Sequence, residues 1–319
     1  MNVQNVGGYQ TGIDYLPAAG KNIFERENVN FNVEEATAEK VNEGAIKTAE
    51  QKTQDLKDAY AVMTSGVNST RTTNDNKTVQ RRLTQLGFYS GSVDGNLYTD
   101  ASKKALKNFQ RVYGLAQTGQ ISNMVQDKLK AATSCYRAVA SKSDLGTITS
   151  MVSGYSDFKE SEIRDYFAKT WAFFRVGMGL TVRQASGVLG NIMAESGCIP
   201  DNAKDTDTNK KLHDKDYKYN VSDGRGYGLI QWTIQKRKQL LKDTSSQMGL
   251  SVSDINAQFA CFRKETERDD LTKSAWNKLK KTDLIDGATG IFLNEIEMPG
   301  NRNFSERYEK ATTIYSVMK

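Results

Sequence analysis

Apolar residues recur three and four positions apart through the second half of the chain, which is the spacing of amphipathic helices. Beyond residue 153 this spacing predicts seven helices, in the stretches IRDYFAKTWAFFRVG, VRQASGVLGNIMAESG, IQKRKQLLKDTSSQMG, VSDINAQFACFRKETE, LTKSAWNKLKK, GATGIFLNEIE and SERYEKATTIYSVMK. An irregular insertion, residues 198–231, interrupts them, and long insertions in compact helical domains are usually functional. The pattern therefore predicts a mainly all-α domain over residues 156–319.

A smaller helical unit precedes this domain. Val79, Leu83 and Leu86 give a short first helix, and ASKKALKNFQRVYG and NMVQDKLKAA give two more, with turns between them. We predict a three-helix module over residues 77–135, followed by a linker over residues 136–155.

The first 76 residues have a weaker pattern. Between Val33 and Met63 a thin, alanine-rich stripe has helical spacing, and residues 65–77 are polar enough for a linker. Alanines bury little surface by themselves. We therefore expect a helical N-terminal arm over residues 1–76, which is either solvated or docked on a partner protein.

Composition narrows the classes of chemistry. The start MNVQNVGGYQTGIDYL lacks the basic and apolar regions of a secretory signal, and no stretch is apolar enough to span a membrane. Three widely spaced cysteines and one histidine favour neither a disulfide framework, nor a metal site, nor a serine–histidine triad. We expect a protein made in the cytoplasm, with no membrane partner, no cofactor and no metal, whose chemistry depends on carboxylates.

Charge is distributed unevenly. Residues 1–76 carry 7 basic and 11 acidic side chains, residues 77–145 carry 11 and 4, and the remainder carries 26 and 23. The middle segment therefore suits an anionic partner, either nucleic acid or a cell wall with anionic polymers. The basic run KRKQLLK, residues 236–242, is expected to form the solvent-facing side of a helix.

Glu195 is the first candidate for chemistry. It follows Ile192 by three residues and Val188 by seven, so it lies on their helix face, and Gly197 and Pro200 end the helix soon afterwards. Partial burial and the negative end of the helix dipole both favour the neutral form of such a carboxyl group. The alternative is an ordinary helix-end glutamate that turns to solvent.

A glycine-rich turn lies downstream, in NVSDGRGYGLIQWT. Three glycines within five residues permit tight backbone geometry and close approach of a ligand. Tyr227 and Trp232 offer aromatic faces, Gln231 offers an amide, and Thr233 is placed to cap the next helix. No strand precedes the turn and no Gly-Lys-Ser/Thr follows, so it is not a phosphate loop.

The sequence from Val79 to Leu129 resembles the peptidoglycan-binding repeat of many cell-wall hydrolases. Its LGFY, DG, FQ, GL and TG pairs or runs stand in the order of that family, although the loop DGNLYTDAS is one residue longer and has Ser102 where threonine is common. The resemblance implies that this module binds peptidoglycan. It makes Phe88, Tyr89, Asp94 and Tyr98 its candidate wall-binding residues.

GNIMAESG and GYGLIQWT, with QFACFRKE and FLNEIEMPGN further on, resemble the phage tail-type lysozymes of the lysozyme superfamily. The resemblance implies a lysozyme-like helical domain that cuts the β-1,4 bonds of peptidoglycan, with Glu195 as general acid. It implies substrate-binding roles for Tyr227, Gln231, Trp232 and Thr233. It also implies a phage protein, either an endolysin or a tail component whose residues 1–76 contact other tail proteins.

Hydrolysis of a glycoside normally uses a second carboxylate. Asp223 is the first choice because it opens the glycine turn, and the rivals Asp201, Asp205 and Asp207 lie in the insertion. Some lysozyme relatives are lytic transglycosylases that use one glutamate and form anhydro ends, so the reaction subtype stays open. A non-catalytic wall-binding structural protein and a DNA-binding protein are the alternatives from other classes; our prediction has peptidoglycan, and no nucleic acid, as partner.

Overall fold

The computed structural model describes residues 71–152, 158–204, 211–213, 217–300 and 302–319, all of which belong to one compact unit. The expected helix between Val33 and Met63 lies outside the described residues. So does the rest of the N-terminal arm as far as residue 70.

The described residues form eleven α-helices, two π-helical segments and two short strands. The N-terminal helices are α1 (Thr73–Gln85), α2 (Asp100–Val112), α3 (Asn123–Ala140) and α4 (Leu145–Thr149). Then follow α5 (Glu160–Ala172) with the π segment Phe173–Gly177, α6 (Val182–Glu195), β1 (Asn202–Lys204), β2 (Lys211–His213), α7 (Gln235–Met248), α8 (Ile255–Arg268), α9 (Asp270–Leu279), α10 (Ile285–Ile291) with the π segment Phe292–Glu297, and α11 (Phe304–Met318). The predicted mainly all-α fold and all seven predicted C-terminal helices are confirmed.

Helix α1 begins earlier than the sequence pattern indicates. Thr72 accepts a hydrogen bond from the backbone N–H of Asp75, and the Asp75 carboxylate accepts one from the backbone N–H of Thr72. This reciprocal capping box satisfies two of the free N–H groups at a helix start. The polar stretch predicted to be a linker therefore becomes helical at Thr73.

The region predicted to link the two domains is itself helical over much of its length. Helix α3 continues to Ala140, and the short helix α4 buries Leu145 and Ile148 in the core. The Tyr136 hydroxyl also donates to Asp165 on α5, at 2.7 Å. These contacts attach α3 and α4 to the C-terminal helices.

The N-terminal helices and the C-terminal domain share one apolar core. Phe109 is buried under Phe88 and stacks on Tyr113, and these residues belong to the same core cluster as Phe173 and Phe259 of the C-terminal domain. Burial of aromatic surface is a large stabilising contribution. The two parts therefore bury apolar surface against one another.

Helix α6 lies against α10 and α11, and its glycines explain how close they come. A Cβ atom on Gly187 would lie 2.7 Å from the Cβ of Ala288, and one on Gly190 would lie 2.5 Å from the carbonyl oxygen of Arg307. Any side chain at either position would push the neighbouring helix away. The glycines thus bring Arg307 up to the end of α6.

The strands form an antiparallel pair in which Ala203 faces Leu212. Ala203 is also bridged to Tyr227, so the glycine-rich turn lies on the other side of β1. None of the helices in the described ranges has the length and apolar content that a membrane-crossing segment needs.

Candidate functional site

Glu195 is the last residue of α6, as its position in the sequence pattern predicts. Val188 and Ile192, on the same face, are fully buried, whereas the Glu195 side chain keeps 18% of its surface exposed. The carboxylate is thus sheltered by the core on one side and accessible on the other. A proton donor to a bound substrate needs this combination.

The guanidinium group of Arg307 on α11 contacts Glu195 directly. One terminal nitrogen of Arg307 donates to Glu195 Oε1, and the other donates to Glu297 Oε2 at 3.2 Å and to the carbonyl oxygen of Asn191 at 3.3 Å. The side chains of Arg307 and Glu297 are only 5% and 2% exposed. Glu195, Arg307 and Glu297 therefore form a largely buried group, which we call the acid triad.

The acid triad gives Glu195 a charged partner that the sequence analysis did not include, because Arg307 contacts its carboxyl group directly. Arg307 divides its one positive charge between Glu195 and Glu297, because each of its terminal nitrogens is bonded to a different carboxylate. The arrangement holds Glu195 in a defined orientation.

The sequence analysis missed Arg307, although the chain contains a signal for it. Arg307 precedes the buried residues Ala311 and Ile314 by four and seven positions, so it lies on the apolar face of α11. A charged residue on such a face needs a buried counter-charge. Glu297 supplies one because the π segment Phe292–Glu297 ends beside it.

The glycine-rich turn lies beside the end of α6. Ser196, the residue after Glu195, donates from its hydroxyl to the carbonyl oxygen of Leu229 at 2.7 Å. Tyr227 and Trp232 exchange two backbone hydrogen bonds, of 3.2 and 2.9 Å, which close the turn. The chain thus brings the two sequence motifs together in space.

Two of the glycines in the turn are required by close contacts. Gly228 has a φ of +77°, and a Cβ there would lie 2.6 Å from the Gln258 side-chain oxygen, which accepts a hydrogen bond from Leu229 N–H. A Cβ on Gly226 would lie 2.6 Å from the side-chain oxygen of Gln231. The turn is therefore held from inside by two glutamine side chains.

The residues predicted to bind substrate differ in their burial within the turn. Tyr227 and Trp232 are buried, and the indole N–H of Trp232 donates to both oxygens of Glu265, at 3.1 and 3.2 Å. Gln231 is also buried and donates to the carbonyl oxygen of Gly228. Both aromatic rings therefore lie in the protein interior, where they pack under the backbone of the turn.

Thr233 is exposed and donates to the carbonyl oxygen of Gln231 at 2.9 Å. It does not cap α7: Ile234 occupies the cap position, with no side-chain hydrogen bond. The expectation of a threonine cap was wrong, because the Thr233 hydroxyl bonds back to the turn.

Asp223 belongs to a second network, around Lys238. Its carboxylate accepts hydrogen bonds from Lys238 Nζ at 2.6 Å, from the Tyr217 hydroxyl at 2.7 Å and from the Arg225 backbone N–H at 3.0 Å. Burial raises the pKa of Asp223, but the bonds from Lys238, Tyr217 and Arg225 outweigh this effect and the pKa is lowered. The carboxylate is therefore charged and largely occupied.

Lys238 corrects the expectation that residues 236–242 form only a solvent-facing side of a helix. Its side chain is 0% exposed, and its ammonium group also donates to the Tyr217 hydroxyl and to the carbonyl oxygen of Arg225, both at 3.0 Å. Arg237 is paired with the buried Glu265 at 2.8 Å, whereas Lys236 is exposed. The run therefore alternates between solvent and interior.

Of the three rival carboxylates, only Asp201 lies among the described residues. Asp201 is half-buried at the start of the strand pair. Asp205 and Asp207 lie outside the described residues. Among the described residues no cluster of three or more histidine, cysteine, aspartate or glutamate side chains is arranged to hold a metal ion.

The wall-binding candidates also differ in position. Tyr98 is 80% exposed, whereas Phe88 packs edge-on against Phe109, with 5.5 Å between ring centroids. Tyr89 is buried and donates to the carbonyl oxygen of Ser92 at 2.8 Å. Asp94 accepts bonds from the Gln80 amide and the Asn96 N–H, which fix its loop. Of the four candidates, Tyr98 presents the most surface to a ligand.

A groove of about 920 Å³ lies between α7, the end of α8, the start of α9 and the π segment Phe292–Glu297. Exposed apolar side chains of Ile234, Leu271 and Met298 line it, together with Arg237 and Glu265. It therefore begins directly after the glycine-rich turn and reaches the segment that carries Glu297.

Comparisons with known protein families agree with this geometry. Residues 166–318 match the family described as phage tail lysozyme, and residues 72–129 match a peptidoglycan binding domain. No curated protein and no solved structure matches the chain significantly. The first match contains the acid triad and the glycine-rich turn, and the second contains α1, α2 and the start of α3. The chain therefore contains a region similar to a peptidoglycan binding domain and a region similar to the phage tail lysozymes, and the two matches support a lytic enzyme of the bacterial cell wall.

Proposed function

We propose that the enzyme cleaves the β-1,4 glycosidic bonds of peptidoglycan glycan strands, with Glu195 as general acid. The observation that carries this proposal is the position of Glu195: at the end of α6, beside the glycine-rich turn, with its carboxylate fixed by Arg307 and partly open to solvent. The apolar groove that follows the turn is suited to a long substrate, because sugar rings pack well on apolar surfaces.

Breaking a glycosidic bond requires a proton for the oxygen of the leaving sugar. In the proposed reaction Glu195 donates this proton and becomes a carboxylate. Arg307 then stabilises the new negative charge through the ion pair, while Glu297 keeps Arg307 in place. Arg307 and Glu297 are therefore positioning residues in this proposal, and Glu195 is the group that touches the substrate.

The second step has two candidates. Asp223 as a base would activate water and give hydrolysis, which makes the enzyme a muramidase. The three hydrogen bonds that Asp223 accepts favour the alternative, in which a hydroxyl of the substrate attacks in place of water. That hydroxyl returns its proton to the Glu195 carboxylate, and the product carries an anhydro end. That lytic transglycosylase reaction needs one protein carboxylate.

Mass spectrometry of the products from purified sacculi tests the proposal and separates the two candidates. Glycan cleavage gives disaccharide-containing fragments, with reducing ends after hydrolysis and anhydro ends after transglycosylation. Products cut only in their peptides, with intact glycan strands, would refute the assignment of Glu195 as a glycosidase acid.

We also propose that residues 1–76 attach the enzyme to phage tail proteins, because their net negative charge is unsuited to an anionic wall. A chain beginning at Arg71 retains Thr72 and Asp75 and hence the cap of α1. It should retain lytic activity but lose association with phage particles. If the shortened and full-length chains are both absent from particles and have the same oligomeric state in solution, the attachment proposal fails and release as an endolysin is favoured.

A further inference from the structure

Hydrogen bonds fix the contact between the peptidoglycan-binding domain and the lysozyme domain. Arg263 on α8 donates to the carbonyl oxygen of Val112 at 2.8 Å and to that of Gly177 at 2.6 Å. The buried amide of Asn108 on α2 donates to the carbonyl oxygen of Met248 at 3.1 Å. A surface feature at this contact is therefore built from residues of both domains.

A cavity of about 520 Å³ opens along the contact, and we call it the seam pocket. Arg111 and Gly114 line it from the peptidoglycan-binding side, and Lys264, Glu267 and Arg268 line it from α8. Arg263 also lines it and pairs with Glu267, with 3.5 Å between Nη1 and Oε1. The Glu267 carboxylate, which also lines the pocket, is therefore already paired with Arg263.

Three cations remain: Arg111, Lys264 and Arg268. No carboxylate of the described residues lies within ion-pair distance of any of them. The side-chain oxygen of Gln247 instead accepts from Arg111 Nη1 at 3.1 Å and from Lys264 Nζ at 3.0 Å. A neutral oxygen thus stands between two positive charges, where an anionic oxygen would be bound more strongly.

The three charges affect one another. Burial lowers the pKa of Lys264, and repulsion from Arg111 and Arg268 lowers it further. Burial also lowers the pKa of Arg111, and Arg268 contributes to that shift. Like charges gathered in a concave site repel one another unless an anion binds between them, and such a site concentrates anions from solution.

We propose that the seam pocket binds carboxylate groups on the peptide stems of peptidoglycan, so that both domains hold the peptides while the lysozyme domain cuts the glycan. The proposal rests on the proposed function, which places the enzyme on peptidoglycan. Arginine binds a carboxylate with two parallel hydrogen bonds, and besides the paired Arg263 the pocket offers two arginines and a lysine. Peptidoglycan bound by the neighbouring domain brings several such carboxylates close to the pocket.

The test compares two double variants of the full chain. Lys264→Gln with Arg268→Gln removes two charges from the seam pocket. Lys130→Gln with Lys273→Gln removes two charges from exposed lysines of α3 and α9 that do not line it. The two variants have the same net charge, so a difference between them reports the location of the charges.

Affinity is measured by sedimentation with sacculi whose phosphodiester polymers have been removed, before and after the stem carboxylates are converted to amides. All chains carry Glu195→Gln, so that cleavage does not change the sacculi. We call the Lys264/Arg268 double variant the pocket variant, the Lys130/Lys273 double variant the control variant, and the chain with neither pair of changes the parent. We expect amidation to weaken binding of the parent and of the control variant by about tenfold or more, and to have little effect on binding of the pocket variant. An equal response of both double variants would overturn the proposal.

A third preparation identifies the anion. Sacculi that keep their phosphodiester polymers but have amidated carboxylates should bind the parent and the pocket variant alike. A selective loss of affinity by the pocket variant on these sacculi would assign the pocket to phosphate and overturn the carboxylate proposal. Failure of the glycosidase proposal would appear separately, in the product analysis, since these measurements report binding alone.

Discussion

Replacing Asp223 with asparagine removes the carboxylate that pairs with a fully buried ammonium group. Lys238 is 0% exposed and Asp223 is 19% exposed, with 2.6 Å between Nζ and Oδ1. Removing one partner of a buried ion pair costs about 3–5 kcal/mol, because the other charge stays buried without compensation. The asparagine amide also presents N–H donors in place of an oxygen that accepted from Tyr217.

We therefore expect Asp223→Asn to lower the free energy of unfolding by about 3–4 kcal/mol, and Tm by roughly 6–16 °C. Urea titration at pH 7 measures the first quantity and calorimetry the second. Replacing Lys238 with methionine as well removes the buried charge, and a neutral pair of similar volume is often tolerated. The double variant should thus recover stability, with a coupling energy of about 2–3 kcal/mol.

Activity of the double variant decides what Asp223 does. If Asp223 acts by holding the glycine-rich turn through Lys238, cleavage per folded molecule should recover along with stability. A double variant that is stable but inactive would refute this reasoning and identify Asp223 as the catalytic base. A single Asp223→Asn variant with unchanged stability would refute the energetic argument itself.

The pH dependence follows from the lowered pKa of Asp223. A carboxyl group whose pKa is lower in the folded state stabilises the fold above the unfolded value of about 3.9, and this contribution is lost as pH falls through the folded value. The stability difference between the parent and Asp223→Asn should be constant from pH 5 to 7 and decrease below about pH 4.

Two further predictions concern packing. Gly190→Ala should destabilise the fold by about 1–3 kcal/mol in urea titration, because its Cβ would lie 2.5 Å from a backbone oxygen of α11. The matched change Gly290→Ala has its nearest contact at 3.5 Å and should be neutral or stabilise α10, so equal effects of the two changes would contradict the packing argument. Burial raises the pKa of the Cys198 thiol to about 12 and raises the pKa of Cys261 well above its ordinary value. A thiol reagent should therefore modify the half-buried Cys135 first, and the other two cysteines only in denaturant. Rapid modification of all three cysteines in the native protein would show that this core opens easily.

The helices could be predicted from the sequence because each buries one apolar face, and periodicity reports that face directly. The position of Glu195 beside the core followed from its spacing to Val188 and Ile192. The proximity of Glu195 to the glycine-rich turn could be expected from the family resemblance. These are features in which local pattern and tertiary structure agree.

The polar partners could not be predicted in the same way. Lys238 looks like a surface residue in a composition count, and its burial depends on Asp223, which is 15 positions away in the chain. The apolar face of α11 indicates that Arg307 is buried, but periodicity does not report its contact with Glu195, which is 112 positions away. The aromatic rings of Tyr227 and Trp232 suggested a sugar-binding surface, but burial of the turn places them inside. Which face of a turn is covered depends on tertiary packing, which periodicity does not report.

The central claim is that Glu195 donates the proton that breaks the glycan strand. Its most direct test is the rate at which Glu195→Gln releases glycan fragments from sacculi, with Glu309→Gln as the matched exposed glutamate on α11. Glutamine can still accept the hydrogen bond from Arg307 but cannot donate the proton at working pH. We predict a folded protein that binds sacculi and is slower by roughly 10²–10⁴-fold, while Glu309→Gln keeps the parent rate. Near-normal turnover by a folded Glu195→Gln variant would contradict the account.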